Sequence, residues 1–186
     1  MKKLLCIILA IVMMVSFTAC GKETPEKATN NALKAVKSLN IKGMEKYFGE
    51  IPVDVDELDF GEITADQLKV VKKFLSKMSW EILGSVEDEN TATVTVRLTT
   101  VNLVPIATEV AGELMGDAFS ALLGGTMTEE ELYEKAFKLI EEKLSEKDLQ
   151  MVDNEFELDM SLTDDGWKIE VKESFINTII GDLDIF

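Results

Sequence analysis

The sequence contains no histidine, only two cysteines and three prolines, and a single arginine, Arg97. Each shortage closes a route. Without histidine there is no Ser-His-Asp or Cys-His catalysis, no imidazole metal ligand, and no side chain that ordinarily changes charge near neutrality. Cations are also scarce: 19 lysines and arginines face 35 acids, for a net charge of −16. A chain so acidic offers no basic face for nucleic acid. Apolar residues, in contrast, are plentiful. They make up 46% of the 186 residues, too many for a disordered acidic chain and enough for one domain with a real core.

The apolar residues are unevenly spread. Met1-Lys2-Lys3 is a short basic start, and Leu4 to Val15 is an unbroken apolar run. Spanning a bilayer takes about 20 residues, so this run is too short and reads instead as the core of an export signal. The segment Ser16-Phe17-Thr18-Ala19-Cys20-Gly21 resembles the lipobox of bacterial lipoproteins, with Phe17 in place of the usual leucine. That resemblance implies cleavage before Cys20 and a diacylglycerol thioether on its sulfur. Two acyl chains hold a protein to a membrane where one would not. The expectation is a signal peptide over 1–19, a lipidated tether over 20–26 and a domain over 27–186, anchored on the outer face of the cell membrane. Loss of Lys2 and Lys3 leaves a charge of −18 on 167 residues. Because Cys6 departs with the signal and Cys20 carries the lipid, no thiol remains for a disulfide, a metal or a nucleophile.

Within the domain, Thr24-Pro25 predicts an N-cap with proline at the first helical position, followed by an apolar stripe of Ala28, Ala32, Ala35, Val36 and Leu39. Ile41 to Phe48 predicts a second helix ending at Gly49. Residues 50–61, with Pro52 and five acids, read as a loop. Thr64 predicts a third helix, with Gln67 completing a capping box and Ile63 stapled to Leu68. The period then changes to two. Trp80, Ile82 and Val86 predict one apolar strand face, and Ala92, Val94, Val96 and Leu98 a second, with Asn90 taking the left-handed position of the turn between them. Phe156, Leu158, Met160 and Leu162, then Trp167, Ile169 and Val171, predict a second hairpin through Asp164-Asp165-Gly166. A closing helix is expected over Ser174–Leu183. One polar and one apolar face per strand is what an antiparallel sheet covered on one side requires.

Between the hairpins, residues 103–148 read as helical. Glu109, Glu113 and Asp117 recur every fourth residue, and acids near a bilayer centre cost about 3 kcal/mol each, so this stretch is an amphipathic helix and not a span. Gly112, Gly116, Ser120 and Gly124 share the same spacing. Small residues so placed admit a close helix neighbour, either within this domain or on an envelope protein. Thr128 caps the second half, with Glu131 reaching back and Met127 stapled to Leu132.

Helices first, then a hairpin, a helical excursion and a closing hairpin ending in DGWKIEVKESFINTIIGDL resemble the small Gram-positive lipoproteins of the NTF2-like (cystatin-like) superfamily. The likeness covers roughly residues 24–186, and departs from the usual arrangement in the long 103–148 excursion and in having few strands. It implies an α+β fold in which a curved antiparallel sheet wraps the N-terminal helices into a cone. It also implies a pocket there, which Tyr47, Phe48, Trp80 and Trp167 could line around a small apolar or amphipathic ligand.

The superfamily includes enzymes with a buried carboxylate base, whose pKa burial must raise. Here the acids fall in turns or on polar faces, so the expectation is a non-catalytic binding or accessory module without cofactor. Asp54, Asp56, Glu57 and Asp59 do not follow the EF-hand spacing, so no metal site is expected. Lys69, Lys72, Lys73 and Lys77 form a basic face that solvent or anionic lipid could cover.

Overall fold

Residues 23–49, 64–122 and 128–179 are described by a computed structural model of the chain. Helix α1, Pro25–Ser38, starts where the Lys27 N–H finds the Thr24 hydroxyl, and proline at its first position costs nothing because that N–H would be unpaired anyway. It ends at Leu39, which takes a left-handed conformation (φ 50°) while the Leu39 and Asn40 N–H groups close the last turn on Val36 and Ala35. Asn40 then caps α2, Ile41–Phe48, by accepting from the Gly43 N–H at 3.1 Å. Helix α3, Ala65–Ser76, opens with the expected capping box of Thr64 and Gln67. The staple partner Ile63, the acidic loop 50–61, the export signal and Cys20 lie outside the described residues.

Strands β1 (Ser79–Asp88), β2 (Thr91–Val101), β3 (Met151–Thr163) and β4 (Gly166–Ile169) form one antiparallel sheet in the order β1-β2-β3-β4. Helices α4 (Leu103–Leu122) and α5 (Glu129–Lys143) separate the hairpins, and α6 (Glu173–Ile179) closes the described chain. This is the α+β architecture expected from the strand periods, with helices packed on one sheet face.

Two local expectations are corrected. The register slips between Ile82, which faces Val96, and Gly84, which faces Thr95. One extra residue in β1 reverses the side-chain alternation beyond it. Ser85 therefore takes the inward position and bonds the Glu26 carboxylate of α1, while Val86 points outward at 75% exposure. In the β1–β2 turn the left-handed residue is Glu89 (φ 43°) and not Asn90.

The apolar residues sort into two clusters. Ala28, Leu33 and Val36 of α1, with Tyr47 and Phe48 of α2, pack on Val94, Val96, Leu98, Leu158, Met160 and Trp167 of the sheet. Fully burying a side chain such as Leu33 or Leu98 contributes about 1.5–3 kcal/mol. A smaller cluster joins Val70 of α3, Val101, Ile106 and Val110 around α4, and Leu144 after α5. Phe74 packs against both.

The two ends of the sheet differ. One carries both hairpin turns, tied where the Leu162 N–H donates to the Asn90 carbonyl at 2.8 Å, and α1 begins beside it. From the other end the chain leaves through Asn102 into α4 and returns at Gln150, the two residues being joined by a 2.8 Å backbone bond.

Candidate functional site

The four aromatic residues expected to line a pocket are core side chains in three cases. Tyr47, Phe48 and Trp167 are buried, and Trp80 is half-buried against the same cluster. Buried aromatics keep a partner for their polar tip. The Trp167 indole donates to the Glu23 carbonyl at 2.9 Å, the Tyr47 hydroxyl donates to the Glu23 carboxylate at 3.2 Å, and the Trp80 indole donates to Asn31's neighbour Asn30 at 3.1 Å. Glu23 also accepts from Asn31 at 2.5 Å and pairs with Lys46 at 3.7 Å. This set therefore fixes the residue three positions after Cys20 onto the domain.

A concave site lies elsewhere, between α3 and α5. The last turns of α5 are joined to α3: Glu141 pairs with Lys69 at 2.9 Å and with Lys73 at 3.6 Å. Lys73 also bonds the Glu141 carbonyl and the Ser145 hydroxyl. The hydrogen bond from Lys69 holds the Glu141 carboxyl below its ordinary value. Two of the four lysines read as a basic face are thus turned onto α5.

Between the N-terminal parts of the two helices there is a cleft of about 930 Å³. Its apolar lining is Val70, Tyr133 and Phe137, and its polar lining includes Asp66 on the α3 wall and Glu130, Glu134 and Lys138 on the α5 wall. Tyr133 and Phe137 are one helical turn apart, as are Glu130 and Glu134, so α5 presents an apolar ridge beside an acidic one. Both walls begin at a capping box, Thr64 with Gln67 and Thr128 with Glu131. None of the aromatic residues expected as ligand contacts lines this cleft. The amphipathic pattern of α5 is legible in its sequence, but which part of its apolar ridge a neighbour covers is set by tertiary packing.

Helix α4 buries Ile106 and Val110 and leaves the opposite face open. On that face Met115 and Phe119 are 75% and 62% exposed, and a Cβ placed on Gly112 or Gly116 would meet nothing within 4 Å. The expectation that small residues admit a close helix neighbour inside the domain is not met at these two positions. The Ser120 side chain and Gly124 lie outside the described residues. Glu109, on the flank of α4, pairs with Lys143 of α5 at 2.5 Å.

Among the described residues, the carboxylates with displaced pKa values move down. Burial would raise Glu26, but hydrogen bonds from Ser85, its own backbone N–H and Thr24 outweigh it. Asp159 is lowered by hydrogen bonds from Lys172 and Thr93. A general acid or base working near neutrality needs the opposite displacement. Among the described residues, no helix is long and apolar enough to cross a membrane.

No protein-family model matches the chain, and no curated protein matches it. A solved structure that resembles it is that of a Bacillus subtilis protein described as a lipoprotein (ycdA), 11% identical in sequence, with a TM-score of 0.48. The likeness covers 84% of this chain and 58% of that one, so this chain spans less than two thirds of that neighbour's length.

Proposed function

We propose that the chain is a lipid-anchored, extracytoplasmic binding module without catalytic activity, and that its ligand site is the α3–α5 cleft. The observation that carries the binding role is the cleft itself. An apolar lining of Val70, Tyr133 and Phe137 under polar walls suits a ligand with one apolar face. The cone aromatics support the domain instead, because their side chains already fill its core. The anchor rests on the segment around Cys20, and the lowered carboxylates support a non-catalytic reading.

Two measurements test this. Nile red, a neutral apolar dye, should brighten on binding the protein and lose that response in Tyr133→Ala; an unchanged response in the variant overturns the cleft as the site. Separately, Cys20→Ala should move the protein from the membrane fraction to the soluble fraction, and unchanged retention overturns the anchor.

A second reading, a protein-interaction module of the envelope, is favoured by the open face of α4. Exposed Met115 and Phe119, beside Gly112 and Gly116 where an added Cβ meets no described atom within 4 Å, would seat a partner helix closely. Under this reading Gly116→Leu removes a partner from pull-downs of native membranes.

A further inference from the structure

We infer that the α3–α5 cleft takes a cationic amphipathic helix, a peptide or partner segment whose apolar stripe is bordered on both sides by lysine or arginine. The inference rests on the cleft being the ligand site and adds the class of ligand. Its geometry is that of a helix-in-groove site. The apolar residues Val70, Tyr133 and Phe137 lie between the two walls, and each wall carries acid: Asp66 on α3, Glu130 and Glu134 on α5. A helix lying along the cleft would place leucine-like side chains on the apolar residues and meet negative charge on either flank. Lys138 is the cation among the lining residues, against four carboxylates, and the fourth of these, Glu141, is already paired.

The acids are not all explained by the helices that bear them. Asp66 and Glu130 sit in the first turns of α3 and α5, where negative charge offsets the helix dipole. Glu134 lies beyond that turn and has no such role, which makes it the diagnostic residue. Charge also decides between occupants. An anionic amphiphile would meet like charge on both walls. So would the chain's own 50–63 segment, which is apolar at Ile51, Val53, Val55, Leu58 and Phe60 but carries acids between them.

The test is fluorescence anisotropy with a labelled short peptide made of leucine and lysine alone, leucines spaced to form one helical stripe. A peptide with glutamate in place of lysine serves as the control. The lysine peptide should bind, and its affinity should fall about tenfold in Tyr133→Ala and several-fold in Glu134→Lys. Both positions are exposed, so both variants should keep the parent's circular dichroism and melting curve. Asp165→Lys, in the β3–β4 turn at the other end of the sheet, should change the affinity little. Equal weakening by Asp165→Lys would mean attraction to net charge alone and overturns the inference. Equal binding of the glutamate peptide also overturns it. If Nile red binds in a Tyr133-dependent way while the lysine peptide does not, the cleft remains the ligand site and the cationic class falls. If neither binds, both fall.

Discussion

Thr100 is the residue whose chemistry is least satisfied. It is 2% exposed, at the end of β2 where the chain turns into α4, and its hydroxyl has no hydrogen-bond partner among the described residues. A buried hydroxyl without a partner costs about 1–3 kcal/mol, more than the net value of an ordinary hydrogen bond. Thr100→Val should therefore stabilise the protein by about 1 kcal/mol, read as a higher midpoint in urea with an unchanged slope. A second residue-scale expectation concerns pH. Asp159 is lowered from 3.8 by the hydrogen bond from Lys172 and then by that from Thr93, and Lys172 is raised by the hydrogen bond from Asp159. A depressed carboxyl contributes stability that is complete above its unfolded value and lost as pH falls through its folded one. A raised lysine contributes stability that is complete below its unfolded value and lost as pH rises through its folded one. Asp159→Asn should thus flatten the loss of stability below about pH 4 and also that at strongly alkaline pH. The variant and parent melting temperatures, followed from neutral pH in both directions, would converge at each extreme. Because the pair is largely open to solvent, its effect should be small beside that of Thr100→Val.

At the scale of elements, α4 is the one whose sequence and surroundings disagree. It is apolar on the face towards Val101 and Leu144 and also small or apolar on the face where Met115 and Phe119 are exposed. Glycine inside a helix costs about 1 kcal/mol relative to alanine, so it needs a neighbour that requires its smallness. Among the described residues, no atom lies within 4 Å of a Cβ placed on Gly112 or Gly116. Gly112→Ala with Gly116→Ala should raise stability by about 1–2 kcal/mol in the isolated protein, measured by thermal melting. A fall instead would show that a second copy packs there, which sedimentation would then reveal. How much was legible follows the same logic. The caps at Thr24, Thr64 and Thr128, and the strand faces through Val94, Val96, Leu158 and Met160, are local patterns that decide their own geometry. The outward turn of Val86 was not legible, because alternation cannot register an extra residue near Gly84. The cleft was not legible either: the spacing of Tyr133 and Phe137 marks one helix face, but it does not show that Tyr133 stays 59% exposed.

For the whole molecule, the separation of the two clusters matters more than any single contact. The first ties α1, α2 and, through Leu75, the end of α3 to nearly the full length of the sheet, and the second ties Val70 of α3 to α4, to α5 and to Val101 at the end of β2. The cleft belongs to the second, smaller unit. Glu23 belongs to the first, near the hairpin turns, held there by Trp167, Tyr47 and Asn31. A chain anchored at Cys20 would therefore carry its cleft at the far end of strands about 33 Å long, since each of some ten residues rises about 3.3 Å. Under the proposed anchoring the cleft stands away from the tether and on the helical end of the fold. Units with few buried apolar residues open at lower free energy than the main core. Amides of α4 and α5 should exchange hydrogen faster than those of β2 and β3 under native conditions. Phe74 is the side chain that packs on both clusters, so Phe74→Ala should cost about 3 kcal/mol and widen that gap. If all protected amides instead exchange at one common free energy, and remain together in Phe74→Ala, the two clusters unfold as one and the helical end has no independent opening.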